Sequence, residues 1–296
     1  MRVLILGGGG MLGHKLGQVY RKRVETWVTL RSSFRDYERF GLFDRKRVIE
    51  GVDVFDFDTV THAFAVARPE VVINAVGVIK QLPTAKDPIV ALTINSLFPH
   101  KLAELCRASN ARLITLSTDC VFNGRRGMYT ESDVADAEDL YGRTKFLGEA
   151  TGENCLTLRT SIIGRELESS HSLVEWFLSN RGGKVKGFTN AIYSGFPTIV
   201  MAEIIADLIE RQPNLSGLYH VSSEPINKFD LLKLMRDAYR VEIEIEADAE
   251  FRIDRSLDSK RFREATGFAP LSWPLMIKRM ADDPTPYDEW RRTSAS

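Results

Sequence analysis

Thr118, Tyr141 and Lys145 are the residues of this 296-residue chain whose types and spacing best suit chemistry. Four positions separate Tyr141 from Lys145, so on a helix the phenol and the ammonium share one face. A free phenol titrates at about 10, too high for proton exchange at neutral pH, and a neighbouring cation favours the phenolate. Ser117, Thr118 and Asp119 close the apolar run Leu113, Ile114, Thr115, Leu116, which reads as a strand. A hydroxyl at such a strand end can hold a carbonyl oxygen beside the phenol. Together the three groups can protonate the alkoxide that develops when a carbonyl accepts hydride. A Tyr and Lys at this spacing is also a common surface pair, so the assignment needs an upstream site for the hydride donor.

The stretch from Gly7 to Gly13 supplies one. It follows the apolar run Val3, Leu4, Ile5, Leu6 and precedes a helical pattern that begins near Met11. Strand, tight glycine turn and helix open a dinucleotide-binding βαβ unit. Gly7 makes the turn, Gly10 lets a pyrophosphate approach the backbone, and Gly13 lets the helix pack on its strand. Met11 and Leu12 then present amides at a helix N-terminus, which favours an anion. The second strand, Glu25 to Leu30, ends in Arg31, Ser32 and Ser33 with Arg35 close behind, where an acidic residue would mark NAD. Guanidinium and hydroxyl groups suit a 2′-phosphate, so NADP is the expected cofactor, with NAD as the alternative.

Asp53 and Val54 end a third strand, Val48 to Val52, where the adenine edge is within reach. Val71, Val72, Ile73 read as a buried parallel strand delivering Asn74, Ala75 and Val76 to the cofactor crevice. Asn95 is an amide among apolar helical neighbours; it is counted with the cofactor site and expected to bond backbone on the sheet-facing side. The repeated alternation predicts an α/β fold, a Rossmann-type doubly wound parallel sheet with a smaller C-terminal substrate-binding domain. The predicted division is residues 1–164 for the NADP-binding core and 165–296 mainly for substrate, with 198–221 returning to the core.

Gly7, Gly10, Gly13, Tyr141 and Lys145 resemble the extended short-chain dehydrogenase/reductase superfamily. The strings Ile73, Asn74, Ala75 and Ser117, Thr118, Asp119, Cys120, Val121, Phe122, Asn123, Gly124 are most similar to its dTDP-4-dehydrorhamnose reductase branch. The resemblance covers nearly the whole chain. It implies NADPH-dependent reduction of the 4-keto group of a nucleotide-linked 6-deoxyhexose. It casts Tyr141 as proton donor, Lys145 as its electrostatic partner and ribose ligand, Thr118 as the hydroxyl that orients the keto oxygen, and Asn95 as a structural asparagine. Asp119 and Cys120 fall beside the substrate, Cys120 where the family often has an aromatic residue. A 4,6-dehydratase of the superfamily would place Asp then Glu after the threonine; Asp119 is followed by Cys120, which disfavours dehydration. A 4-epimerase would use the same Thr118, Tyr141 and Lys145, and a non-catalytic NADP-binding regulatory subunit is the alternative from another class.

Later segments supply the remaining substrate contacts. Phe188 to Phe196 is rich in aromatic and hydrogen-bonding groups, and Asn190 and Tyr193 are its candidates for base and sugar. The resemblance implies a basic residue near the C-terminus for the substrate pyrophosphate, and Arg255 fits it as a bidentate guanidinium. Val241 to Ile245 alternates with acidic residues as an edge strand, Thr198 is expected to cap a helix, and His220 reads as a packing histidine. Trp273 and Pro274 start the last expected helix; the tail after Pro286 is expected to be disordered or to pack on a partner chain.

Composition narrows the classes further. Lys plus Arg and Asp plus Glu each number 40, so no overall field recruits nucleic acid or an anionic membrane. The 3 cysteines, Cys106, Cys120 and Cys155, form neither a disulfide framework nor a metal-ligand spacing, which points to a reducing, cytoplasmic compartment. The 5 histidines are scattered, so no metal site is expected. The N-terminus enters a strand at once, unlike a secretory signal, and no apolar run is long enough for a membrane span. A homo-oligomer is left open.

Overall fold

The structure, a computed structural model, describes residues 1–80 and 83–294. β1 (Arg2–Leu6) is apolar and buried along nearly its whole length, as a central parallel strand must be. It turns through Gly7 into α1 (Gly13–Tyr20) and returns as β2 (Glu25–Thr29). A short α2 (Phe34–Glu38), capped by the Ser33 hydroxyl, leads to β3 (Val48–Ile49). Asp56 caps α3 (Phe57–Ala67), which delivers β4 (Val71–Asn74). Asp87 caps α4 (Pro88–Ala91), and a π-helical turn, Leu92–Leu97, carries the chain into α5 (Phe98–Ala108). β5 (Arg112–Thr118), α6 (Leu140–Leu147) and β6 (Cys155–Thr160) complete the regular alternation.

Beyond it the regular alternation breaks. β7 (Ile162–Ile163), α7 (Leu173–Ser179), β8 (Lys184–Tyr193) and β9 (Phe196–Pro197) come first. α8 (Thr198–Arg211) and β10 (Gly217–His220) rejoin the large sheet. β11 (Ile226–Asn227), α9 (Lys228–Tyr239), β12 (Glu244–Asp254), α10 (Lys260–Thr266), α11 (Trp273–Ala281) and α12 (Tyr287–Ser294) finish the chain.

The large sheet has seven strands in the order β3-β2-β1-β4-β5-β6-β10, and every neighbouring pair is parallel. Successive side chains of β1 point to opposite faces. Val3 and Ile5 join a core with Leu16 of α1 and Ile204 and Ile205 of α8, whereas Leu4 and Leu6 join one with Val60 and Phe64 of α3 and Leu102 of α5. This is the doubly wound parallel sheet expected from the alternation. A three-stranded sheet, β11-β8-β12, lies outside it, with α9 packed on β8.

Several local expectations are corrected. The predicted edge strand at Val241 to Ile245 instead starts at Glu244 and runs on through Glu246, Asp248 and Glu250 to Asp254, because β8 offers a parallel edge in register with it. Pro197, not Thr198, occupies the α8 cap position; the Thr198 side chain is buried against Gly164. The chain after Pro286 is an ordered helix and packs on its own chain: Tyr287 is buried in a cluster with Phe40, Leu42 and Leu167.

Two glycines of the first turn have separate duties. Gly7 has φ of +84°, a left-handed conformation that side chains resist, and a Cβ on Gly13 would stand 2.0 Å from the Gly7 carbonyl oxygen. Gly10 is roomier, its nearest such contact being that same oxygen at 3.3 Å. We therefore expect Gly13→Ala to destabilise the fold by about 1–3 kcal/mol through a backbone clash that cannot relax, and Gly10→Ala to melt near the native temperature. Calorimetry of the two variants checks this; equal melting temperatures would contradict it.

Candidate active site

β1 and β4 are neighbours at the centre of the sheet, and the chain leaves them towards opposite faces, α1 on one and α5 on the other. Ligands of open α/β sheets lie in the crevice at such a switch point, outside the carboxyl ends of the strands. Gly7 to Gly13 and Asn74 to Gly77 form its two lips. The Gly10 carbonyl accepts the first helical bond of α1, from the His14 amide at 3.1 Å, which leaves the Met11 and Leu12 amides at the free helix end. Tyr37 of α2 reaches over the loop: a Cβ on Gly9 would lie 2.5 Å from its phenolic oxygen. The Tyr37 phenol also meets Ser32. Arg31, Ser32 and Arg35 are exposed at this rim, and neither guanidinium hydrogen-bonds an acceptor among the described residues. A cradle of glycines and free amides beside unpaired guanidiniums fits the pyrophosphate and 2′-phosphate of NADP.

Asp53 accepts from the Phe55 amide at 2.9 Å, and Val54 packs on the core beside it. Asn74 is turned inward, donating to Thr115 at 3.2 Å and accepting from the Val76 amide at 3.1 Å. Asn95 is fully engaged: its oxygen accepts from the Val78 amide at 3.0 Å, and its nitrogen donates to the Val78 carbonyl at 3.3 Å and the Thr144 hydroxyl at 3.4 Å. It bonds backbone, as expected, but as a buried clamp it cannot also touch a cofactor. Its effect is to fix the loop after β4 and tie it to α6. The π-helical turn that carries it is a common device for aiming one side chain at a site.

The strand end and α6 are brought together by absent side chains. A Cβ on Gly142 would sit 2.1 Å from the Cys120 carbonyl oxygen, and one on Gly148 would sit 1.8 Å from that of Asn95. Asp139 caps α6 by accepting from the Gly142 amide at 2.8 Å. This close packing sets the Tyr141 phenol against the Thr118 hydroxyl. Thr118 accepts from the Cys120 amide and donates to Asp119, both at 3.1 Å. Lys145 donates to the Leu116 carbonyl at 2.6 Å.

Electrostatics here differ from the expectation that Lys145 draws Tyr141 towards phenolate. Burial raises the Tyr141 phenol well above its ordinary value, and the nearby Cys120 and Asp119 push the same way. Burial likewise lowers the Lys145 ammonium to about 8, against the attraction of Glu149. Desolvation outweighs the pair's attraction because Lys145 points at a backbone carbonyl, not at the phenol. Tyr141 is thus held as the neutral acid. Burial also raises Asp119 and pushes the Cys120 thiol up to about 12, so that thiol is no nucleophile.

Arg255 lies in the same group. Its Nε donates to the Phe122 carbonyl at 2.8 Å, and Nη1 reaches Cys120 Sγ at 3.6 Å. Tyr193 buries a phenolic oxygen that has no well-formed hydrogen bond, near Asp119 and Ser161. Asn190 does not join them: its amide donates to the Ala249 carbonyl at 2.8 Å, in the irregular register of β12 between Asp248 and Arg252. A side chain was needed there because the shifted ladder leaves that carbonyl without a strand partner, so the sugar-binding role expected of Asn190 is withdrawn. His220 is a packing residue, bonded to the Tyr129 carbonyl at 2.9 Å. A separate hollow lined by Met1, Arg21, Glu25 and Arg47 lies at the amino ends of β1 and β2, the wrong end of the sheet for this chemistry. Among the described residues no group of three or more His, Cys, Asp or Glu is placed to hold a metal ion.

The comparisons with known proteins agree with this geometry. The family profile described as RmlD substrate binding domain matches residues 1–285. The chain belongs to that family. A hypothetical dTDP-4-dehydrorhamnose reductase from Sulfolobus tokodaii is 26% identical, with a TM-score of 0.76 over 92% of this chain and 98% of that one. The dTDP-4-dehydrorhamnose reductase of Bacillus anthracis, solved in complex with NADP, is 20% identical with a TM-score of 0.77, over 94% and 98% of the two chains. The methionine adenosyltransferase 2 subunit beta of Mus musculus is 28% identical over 260 residues, 81% of this chain and 72% of that one.

Sequence reasoning missed two members of the site. Lys228, the first residue of α9, faces Asp119, Cys120 and Arg255, and burial lowers its ammonium. A cation at the positive end of a helix opposes the usual charge preference, and Asn227 followed by Lys228 was a readable sign that something else holds it there. Tyr37 left no such sign. Lys145 gives a direct test. Its folded pKa of about 8 lies below the unfolded value of about 10.5, so between these pH values the unfolded chain binds more protons. Stability relative to a Lys145→Met variant should therefore rise as pH goes from about 8 to about 10.5, measured by urea unfolding; a flat difference would show that the ammonium is not desolvated.

Proposed function

We propose that the protein is an NADPH-dependent oxidoreductase that reduces the 4-keto group of a nucleotide-linked 6-deoxyhexose. The observation that carries this reading is the meeting of Thr118, Tyr141 and Lys145 at the carboxyl edge of the sheet, across the crevice from an open glycine cradle. The names of the reductases it resembles, one solved with NADP, support the same substrate class. In this reading residues 1–164 with the return 198–221 form the cofactor domain, and the rest of 165–296 closes over the sugar. Residence in the cytoplasm accords with three free thiols.

NADPH would be held by the Gly7 to Gly13 loop, Arg31, Ser32 and Arg35, and when bound it supplies the hydride. The chain's own residues do the rest. Thr118 donates to the keto oxygen and fixes its distance from Tyr141. Tyr141, kept protonated by burial, passes its phenolic proton to that oxygen as negative charge develops, which is the direction reduction needs. Lys145, a half-buried cation three residues past Gly142, stabilises the phenolate left behind and stands where a ribose hydroxyl can take over from the Leu116 carbonyl. Arg255 and Lys228 place two cations beside the crevice for the substrate pyrophosphate, and Tyr193 offers its unpaired phenol to a sugar hydroxyl. Asp119, raised by burial, is without the second acid that a dehydratase would need.

One observation favours a second reading. The likeness to a methionine adenosyltransferase 2 subunit beta, by its name one subunit of another enzyme, favours the alternative of a non-catalytic NADP-binding regulatory subunit. The retained Thr118, Tyr141 and Lys145 geometry favours the enzyme. Tyr141→Phe keeps ring volume but removes the transferable proton, so fold and cofactor affinity should survive while turnover falls by about 100-fold or more. The measurement is single-turnover NADPH oxidation with a 4-keto-6-deoxy nucleotide sugar. A variant that reacts at the native rate, or a native protein that binds NADPH without oxidising it, would favour the binding subunit.

Cofactor choice is tested separately. NADPH should bind more tightly than NADH, and Arg31→Ala should reduce that preference by about 1 kcal/mol or more, the scale of a charged hydrogen bond. Equal dissociation constants in the native protein, by calorimetry, would remove the 2′-phosphate assignment.

A further inference from the structure

The C-terminal segment runs back across the molecule to the start of α1. Lys15 pairs with Asp283, and Thr285 accepts from Lys15 at 3.3 Å and from Gln18 at 3.0 Å. Tyr287 follows, 3% exposed, its ring edge-on to His14 at 5.7 Å and to Trp290 at 5.7 Å. Trp290 packs on Phe40 at 4.9 Å, and Phe40 meets Tyr37, which covers Gly9. The segment thereby grips both walls of the cradle, the helix that follows the glycine loop and the stretch that follows Arg31 and Ser32. The family match ends at residue 285, so α12 with Tyr287 is a feature of this chain beyond it.

His14 joins the segment to the loop. Its Nδ1 lies 2.8 Å from the Gly10 carbonyl oxygen and its Nε2 lies 2.7 Å from the Tyr287 hydroxyl. A carbonyl only accepts, so Nδ1 carries the proton. Burial first, and then Lys15, lower His14 to about 3, so the ring is neutral and Nε2 is a bare acceptor. The Tyr287 O–H must donate to it. One trans peptide plane holds the Gly10 carbonyl and the Met11 amide with opposed directions. A relay that pins the carbonyl towards α1 therefore aims the Met11 N–H away from it, to the open side of the loop.

We propose that Tyr287 is a positioning residue for the dinucleotide: through His14 it fixes the Gly10–Met11 peptide so that the Met11 amide is already aimed at the cofactor phosphate. Preorganised donors cost no ordering when the ligand arrives, so the relay acts on dinucleotide affinity and not on the proton transfer at Tyr141. The inference rests on the reading that the glycine loop holds NADPH.

Tyr287→Phe keeps the ring and its packing and removes only the donor. It should raise the NADPH dissociation constant about tenfold or more, by titration of nucleotide fluorescence, and speed hydrogen exchange of the His14 amide, which bonds the same Gly10 carbonyl at 3.1 Å, with kcat at saturating NADPH unchanged. Arg291 anchors the same segment by donating to the Glu166 and Ser169 carbonyls at 2.7 and 2.8 Å, so Arg291→Met loosens it without touching the relay and should shift NADPH affinity less than threefold. Native affinity and exchange in Tyr287→Phe would overturn the proposal, as would an equal loss in Arg291→Met, which would mean that the segment acts by general packing. A native protein that binds neither NADPH nor NADH would overturn the functional reading and with it the role given to Tyr287, a result distinct from native-like binding in the variant.

Discussion

The rest of the structure depends on how closely backbone can approach backbone at a few positions without side chains. Gly13 lies against the Gly7 carbonyl, Gly142 against the Cys120 carbonyl, and Gly148 against the Asn95 carbonyl. The first contact seats α1 on β1 and opens the helix end to an anion; the other two seat α6 on the end of β5 and on the π-helical turn. Because α6 carries Tyr141 and Lys145 and β5 ends in Thr118, the spacing of the reacting groups is fixed by contacts that hold no functional group at all. Core packing of this kind is stiff, and a displacement of even one methyl group is felt at the site.

The first two-thirds of this architecture could be read from the chain because each signal there is local. Apolar runs of four to six residues, glycine turns and Asp or Ser caps each specify their element without reference to distant partners, and Ser33, Asp56 and Asp87 cap as their positions suggest. The failures lie where a distant partner decides. β12 takes its length from β8, Asn190 spends its amide on a carbonyl freed by an irregular ladder, and the final helix forms because Phe40 and Leu42 wait for Tyr287. Within the site, Thr118 and Tyr141 were legible from type and spacing, and Asp119, Cys120 and Arg255 through the family resemblance, whereas Lys228 joins them only through the three-stranded sheet.

The protonation states followed burial more than pairing. From spacing alone, Lys145 four residues after Tyr141 suggests a cation stabilising a phenolate. In the folded chain Lys145 serves the Leu116 carbonyl, and both groups shift towards their neutral forms. That arrangement suits a carbonyl reductase at rest, since the acid must carry its proton before the reaction begins. The cost of keeping Lys145 half-buried is met by a carbonyl, a partner that a ligand hydroxyl can exchange without leaving a charge stranded.

β12 has a consequence for how the molecule behaves in a crowded solution. It is an eleven-residue outer strand of a three-stranded sheet, and its far edge has no partner strand among the described residues. A long bare edge invites another chain to add a strand. This one carries Glu244, Glu246 and Asp248, two of them paired across the ladder to Lys184 and the third to Lys186, and its regular register breaks after Asp248. Carboxylates repel a like edge, and the break bends the strand away from flatness. The same irregularity that takes Asn190 from the sugar protects the sheet from unwanted extension.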